Sequence, residues 1–401
     1  MPRLVLKAGK DTKVRRGYPW VFANQLARVE GEPGRGAVVQ VATADGTALG
    51  QALYHDASQI AGRFLTRDPE AAIDDNFFRA RLRRALDFRK ATFPDATHAR
   101  LVFSESDGLP GTIIDHYGPP GYQGGVLTFT TLSYGMEQRR DVLLDDLEET
   151  LRPAAIVERN DVGLRGKDAL PERAGLLRGE LEGPLEIEEG GVRFLVDVLG
   201  GPKTGFFIDQ RMNRGLVASL AHGRRVLDVF SADGGFGLRA LAAGATSCHF
   251  LDVSAAALAR VQTNAQANGL AERVTTEAGD ALDRLGELAE EPPGQYDLIV
   301  LDPPGFAKSR RDLDAATRAY QRINISALRM LAPGGILATA SCSQAIEEAE
   351  FLKIVHYAAR RADVTLRRLA RGTQPPDHPV LETMPETEYL TFFVFEVMER
   401  V

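Results

Sequence analysis

The chain has 401 residues, 44% hydrophobic and 26% charged, a composition expected of a soluble globular protein with two or three domains. Its formal net charge of −7 argues against a uniformly basic nucleic-acid coat while leaving room for local basic patches. The opening MPRLVLKAGK lacks the apolar core of a signal peptide, and no run is long enough to span a bilayer. Cys248 and Cys342, the only cysteines, exclude a cysteine-based zinc cluster and suit a reducing compartment, so a cytoplasmic protein is expected.

Residues 1–72 read as a small β-rich module. LVLKAG, RRGYPWVF, AVVQVATADG, ALGQALY and QIAGRFL are short strand-like runs separated by Gly or Asp-Gly. Lys7, Arg15 and Arg16 crowd its start with Arg3, Lys10 and Lys13, and Tyr18, Trp20 and Phe22 follow directly. Cations interleaved with aromatics suit phosphate contact and base stacking, which makes Lys7, Arg15, Arg16, Tyr18 and Trp20 candidate RNA contacts. A solvated face beside a core aromatic cluster has the same pattern.

Asn76 to Lys90 predicts a helix with Phe78, Leu82, Ala85 and Leu86 on one face, and Pro94 prevents its running on. Strand-like LVFSES, GTIIDHYG, GVLTFTTL and AAIVERND, with a helical piece from Gly135 to Thr150, complete a second, α+β domain over residues 73–184. A third domain, 185–401, opens with a hairpin from Leu185 to Val198 around Gly190-Gly191. The following GPKTGFFIDQRMNR, Gly201 to Arg214, is dense in donors and stacking surface; a linker capped by core phenylalanines would look alike.

Val226 to Gly237, VLDVFSADGGFG, is the stretch around which this domain is organised: an apolar run, a Gly-rich turn, then a helix. HFLDVS ends a second strand at Asp252, roughly 20 residues on, where a carboxylate meets a ribose hydroxyl pair in nucleotide-binding sheets. The GxGxxG spacing and a P-loop lysine are both missing, so the ligand reads as adenosine-like with little need for pyrophosphate contacts. Ser254 caps a helix closed by Asn268-Gly269. A third strand runs to Asp280, a fourth from Tyr296 to Asp302, and a fifth, GGILATASCS, up to Cys342. A helix from Ala315 to Leu331 separates the last two, and a helix from Phe351 to Arg361, then VTLRRLA and YLTFFVFEVM, close the sheet. Strands alternating with helices make a doubly wound sheet, whose ligands bind outside the carboxyl ends of the strands. Gly234, Asp252, Asp280, Asp302 and Cys342 all fall at such ends.

The blocks KTGFFIDQR, DVFSADGGF, LDVSAAAL, DPPGFAKS, SCS, DHPV and PETEYL, with RRGYPWVF and LVFSESDGLPG, cover nearly the whole chain. In that order they resemble the S-adenosylmethionine-dependent large-subunit (23S) ribosomal RNA cytosine-C5 methyltransferases that carry an N-terminal PUA domain. The resemblance implies a class I methyltransferase fold: an α/β doubly wound seven-stranded sheet, preceded by a small PUA β-barrel and a small α+β domain. It implies cofactor contacts from Lys203, Thr204, Phe206, Phe207, Gln210 and Arg211, from Phe230, Ser231, Ala232 and Gly234, from Asp252 and Val253, from Asp280 and Ala281, and from Asp302. It implies Cys342 as nucleophile and Asp302 as the group gripping the cytosine, with S-adenosylmethionine as cofactor and no metal. Large-subunit ribosomal RNA is the expected partner, no membrane is, and a homodimer is left open. Phe230 and Ala232 depart from the glycines commonest in methyltransferases, although this subfamily shares the bulky residue at 230. Asp233 stands where the subfamily usually has threonine.

The chemistry asks for a cysteine independently. Cytosine C5 is a poor nucleophile until a thiolate adds to C6, and a thiolate can later leave by elimination. A cytosine within folded RNA has to be turned out of its stack first. The base that removes the C5 proton stays open between Asp302 and a water. Cys248, inside an apolar strand, reads as core, and His378 as structural. Two other functions fit parts of the pattern: an exocyclic-amine RNA methyltransferase, suggested by DPP-F, and a non-catalytic RNA-binding ribosome-assembly factor.

Overall fold

The computed structural model describes residues 1–401 apart from Pro202, Lys308 and Ser309 and the side chains of Leu164, Lys167 and Arg310. The chain forms two compact units. The first comprises Met1–Ile187, Val196–Ile208 and Pro376–Thr387; the second comprises Glu188–Leu195, Asp209–Pro375 and Glu388–Val401.

In the first unit, β1 (Arg3–Leu6), β2 (Trp20–Phe22), β3 (Leu26–Glu30), β4 (Val38–Ala42), β5 (Ala48–Tyr54) and β6 (Ile60–Thr66) form a sheet in the order β2-β6-β5-β4-β1-β3. Alternation sends Leu4, Leu6, Val39 and Val41 to one core with Val14, Val21 and Phe64. RRGYPWVF, expected as one strand-like run, starts instead in a one-turn helix, Thr12–Arg15, and becomes strand only at Trp20. Gly17, at φ +100°, and Pro19 break the extended run between them.

A second sheet follows, with β7 (His98–Phe103), β8 (Thr112–Tyr117), β9 (Val126–Thr131), β10 (Ala155–Arg159) and β11 (Ala174–Gly179) in the order β11-β10-β9-β8-β7. The helix expected over 76–90 spans Asp75–Thr92, because Asp74 caps it by accepting from the Phe77 amide at 3.0 Å. Its Phe78, Leu82 and Leu86 pack in one core with Leu143, Leu144 and Leu147. The helix expected over 135–150 is two pieces, Tyr134–Glu137 and Arg140–Leu151.

Glu105 joins these two sheets. Its carboxylate takes the indole N–H of Trp20 at 2.6 Å and the Arg63 guanidinium at 2.8 Å. Burial pushes the Glu105 carboxyl up, but Arg63, Ser104 and Trp20 outweigh it and hold it below its ordinary value. Stability from a depressed carboxyl is present above its unfolded value, about 4.3, and lost as pH falls through the folded one. Trp20, the only tryptophan, should therefore keep its emission down to about pH 4 and change below it. Arg63→Ala strands a buried carboxylate and should cost about 3–5 kcal/mol by denaturant titration.

In the second unit lie the tips of a hairpin, β12 (Leu185–Glu189) and β13 (Val192–Val196), and the third sheet. Its strands are β14 (Arg225–Val229), β15 (Ser247–Asp252), β16 (Val274–Ala278), β17 (Tyr296–Leu301), β18 (Leu331–Ser341), β19 (Val364–Gly372) and β20 (Thr391–Arg400). The order β16-β15-β14-β17-β18-β20-β19 gives the expected seven strands, with β20 antiparallel to both neighbours. β14 lies parallel between β15 and β17, so the winding direction reverses beside it and a crevice opens at its carboxyl end. Val226, Leu227 and Val229 are buried, as a strand covered on both faces of a parallel sheet requires, and Asp228 between them is buried too.

Candidate active site

The loop after β14 holds an unusual backbone. Phe230 and Ala232 adopt φ +61° and +47°, and Gly234 adopts +82°. Left-handed conformations at non-glycine residues cost about 1–3 kcal/mol each and persist only where their surroundings over-determine them. Here the Phe230 amide donates to Leu251 O at 2.9 Å, Ala232 N to Asp252 Oδ2 at 3.0 Å and Gly234 N to Ser231 O at 2.8 Å. The loop thus reaches glycine-like geometry at the two positions where the commonest methyltransferase pattern has glycines. Gly234 has its own reason: a Cβ there would sit 3.1 Å from Leu238 and 3.2 Å from Val261.

Asp233 faces inward. It is buried and paired with Arg260 at 2.6 Å, tying the loop to the helix Ala255–Ala267. Beneath the loop, Asp228 accepts from the Gly237 amide at 2.8 Å. Burial pushes its carboxyl well above the usual range, and the Asp302 and Asp252 carboxylates push the same way.

The carboxyl ends of the neighbouring strands supply the other groups. Asp252 accepts from the Ser254 amide at 2.8 Å as well as from Ala232. A carboxylate has acceptor capacity for hydroxyls beyond two amides. Val253 beside it is 77% exposed, an apolar side chain that an adenine face would cover. Asp280 caps the helix Ala281–Leu288 through the Leu282 amide at 2.8 Å, and Ala281 is buried. The buried Ser231 hydroxyl finds no partner among the described residues. An orphaned hydroxyl, a carboxylate placed for a diol and an exposed apolar side chain at one crevice fit S-adenosylmethionine.

Asp302 follows β17 directly, and its Oδ1 accepts from Gln210 Nε2 at 2.8 Å. Gln210, itself buried, accepts from Asn213 Nδ2 at 2.7 Å, so its amide is held in one orientation. Cys342 follows β18, the parallel neighbour of β17, and the pairing of Leu301 with Thr339 carries both residues past the same edge of the sheet. The Cys342 thiol is half-buried and lies 3.8 Å from Pro303 O, and a Cβ on Gly305 would come 3.6 Å from its sulfur. Cys248 is core, its thiol pushed well up by burial and by Asp228.

Arg211 is only partly exposed and lies 4.0 Å from Glu189, on which Arg214 at 2.6 Å and Arg239 at 3.0 Å also converge. Lys203, Thr204, Phe206 and Phe207 belong to the first unit. There Lys203 Nζ lies 4.5 Å over the Phe207 ring, Thr204 donates to Asp115 at 2.5 Å, and buried Phe206 meets His98 edge-on. Lys308 and Ser309, which end the DPPGFAKS block, lie outside the described residues. His378, also in the first unit, is buried with Nδ1 2.9 Å from Asp377.

Of the candidate RNA contacts, Lys7, Arg15 and Arg16 are exposed; Lys7 reaches Asn24 O at 3.0 Å and Arg15 pairs with Asp11. Tyr18 is 7% exposed and donates to Glu386 at 2.9 Å, while half-buried Trp20 is held by Glu105. Both aromatics are therefore anchored within their unit rather than projecting from it. Among the described residues no His, Cys, Asp and Glu cluster is placed to hold a metal ion, and no helix is long and apolar enough to cross a membrane.

Residues 139–392 match the family model of S-adenosylmethionine-dependent methyltransferases, and residues 4–67 that of PUA-like domains. The chain is 42% identical over 399 residues to Shewanella amazonensis ribosomal RNA large subunit methyltransferase I, covering 98% of this chain and 99% of that one. It is 39% identical over 390 residues to the Aeromonas salmonicida protein of the same name, covering 96% and 97%. In fold it is similar to a methyltransferase solved with S-adenosylhomocysteine (TM-score 0.84, 21% identity, 99% and 100% covered). A methyltransferase from Streptococcus mutans is similarly close (TM-score 0.80, 20% identity, 99% and 100% covered). With its crevice at the β14 turn, the chain belongs to the S-adenosylmethionine-dependent methyltransferase family, uses S-adenosylmethionine as its cofactor and carries a PUA-like domain at its N-terminal end.

Proposed function

We propose that the protein methylates C5 of a cytosine in large-subunit ribosomal RNA through a covalent bond between Cys342 and C6 of the base. Relatives named for large-subunit ribosomal RNA support the substrate class. The observation that carries the chemistry is the pairing at adjacent strand ends: a half-buried thiol at Cys342, and at Asp302 a carboxylate oriented by Gln210.

Bound S-adenosylmethionine supplies an electrophilic methyl group. The Cys342 thiolate adds to C6, and the electron pair of the C5–C6 double bond moves to C5, which would form its bond to the methyl as the methyl–sulfur bond breaks and S-adenosylhomocysteine leaves. Asp302 accepts a hydrogen bond from the exocyclic amine and fixes the base while charge shifts through the ring. Once the C5 proton has gone to a base, the C6–S bond breaks and the thiolate is released. Asp252 would hold the ribose hydroxyls, Val253 the adenine face and the 230–234 loop the rest of the cofactor. We assign RNA contact to the exposed cations Lys7, Arg15 and Arg16 and domain limits near residues 72 and 184.

The test is product identity. Large-subunit ribosomal RNA treated with the protein and methyl-labelled S-adenosylmethionine, then digested to nucleosides, should yield labelled 5-methylcytidine. Label in N4-methylcytidine would replace this reading with the exocyclic-amine one. Asp252→Ala should weaken S-adenosylhomocysteine binding about 10–100-fold by calorimetry, the loss of hydrogen bonds to a charged acceptor.

A further inference from the structure

Cys342 is flanked by Ser341 and Ser343, both buried, in the stretch that leaves β18. β18 ends at Ser341, and the two serine hydroxyls share one partner, whereas the Cys342 sulfur lies 3.8 Å from Pro303 O. Whatever holds the serines therefore sets the direction of the thiol.

Tyr320, in the helix Leu313–Met330, does the holding. Ser341 Oγ donates to the Tyr320 hydroxyl at 3.1 Å, and the phenol lies 3.0 Å from Ser343 Oγ. Ser343 Oγ in turn accepts from the Ala307 amide at 3.2 Å. The phenol thus bridges both serines, and through Ser343 it fastens the thiol strand to the Asp302–Ala307 loop. The Tyr320 ring also packs 4.8 Å from Phe306, which meets Phe230 of the cofactor loop edge-on at 6.3 Å.

We propose that Tyr320 is a positioning residue that locks the Cys342 loop onto the Asp302 loop, so that sulfur and carboxylate can engage one base at the same time. This rests on the nucleophile reading above. Tyr320 is fully buried, so it acts through the serines. Removing its hydroxyl keeps the ring in the core but leaves two buried serine hydroxyls without their shared partner, and the loops lose their common anchor. Covalent attack falls steeply with small misplacements, about 10²-fold for about 1 Å.

The test compares Tyr320→Phe with wild type for the rate of covalent adduct formation on 5-fluorocytidine-substituted ribosomal RNA in the presence of S-adenosylmethionine. Tyr296→Phe is the control: it removes a phenol that bonds His249 at 2.8 Å, at the opposite end of the sheet. We expect Tyr320→Phe to slow adduct formation about 10–100-fold, with S-adenosylhomocysteine affinity within about twofold of wild type. Ser341→Ala combined with Ser343→Ala should slow it equally, and adding Tyr320→Phe to that pair should slow it little further. Wild-type rate in Tyr320→Phe, or equal slowing in Tyr296→Phe, would overturn the positioning role and leave the thiol chemistry standing. Wild-type protein that forms no adduct would overturn the nucleophile reading and this inference with it.

Discussion

Replacing Cys342 with alanine is expected to lower methyl transfer about 10⁴-fold or more while leaving S-adenosylhomocysteine affinity within about twofold. Without a sulfur to add to C6, C5 has too little electron density to take the methyl, and no other group at that strand end supplies a soft nucleophile. Cys248 cannot substitute. It is enclosed in the sheet, and burial and Asp228 both disfavour its thiolate. Cys248→Ala should therefore cost stability, on the order of 1–3 kcal/mol, and leave turnover per folded molecule near wild type. An exocyclic-amine enzyme would show the reverse at Cys342, with substantial activity surviving.

Asp302→Asn is expected to lower the rate about 10²–10⁴-fold, because an amide of the same shape keeps the space but loses the charge that grips the base amine. Gln210 gives a graded version of the same experiment. Gln210→Ala frees the Asp302 carboxylate to rotate and should cost about 10-fold in rate. Gln210→Glu should be worse at low pH. It would put a second carboxylate where Gln210 now sits, 2.8 Å from Asp302, and two carboxylates that close cannot both stay ionised. The acid limb of the pH–rate profile should move to higher pH than in wild type, and Gln210→Ala should leave that limb where it was. A pH–rate profile of the three proteins on one RNA substrate separates orientation from charge.

Much of the seven-stranded sheet was legible because its signals are local. Val226 to Val229 is apolar but for Asp228 and ends on a turn, and HFLDVS, YDLIVLDPP and GGILATASCS repeat that form, so strand ends and their polar tips could be located. The ties that set the site are different in kind. Gln210 and Asp302 lie 92 positions apart and Tyr320 and Ser343 lie 23, and neither pair has a sequence pattern. Glu189, on a hairpin, draws Arg214 and Arg239 from two later helices for the same reason. Composition also hid the outcome at Tyr18. Aromatics beside cations read as a stacking platform, but the buried ring and its bond to Glu386 depend on residues 376–387 joining the first unit. Phe230 and Ala232 show the opposite lesson: a residue type that disfavours left-handed backbone adopted it because hydrogen bonds to the end of β15 over-determine the loop.

The central claim is that one sulfur at the end of β18 bonds to the target base. Large-subunit ribosomal RNA containing 5-fluorocytidine blocks release, because the C5 fluorine cannot leave as a proton. Wild-type protein incubated with this RNA and S-adenosylmethionine should form a denaturant-resistant complex, and mass spectrometry of its peptides should place the nucleotide on Cys342. No complex, or one that persists in Cys342→Ala, would contradict it.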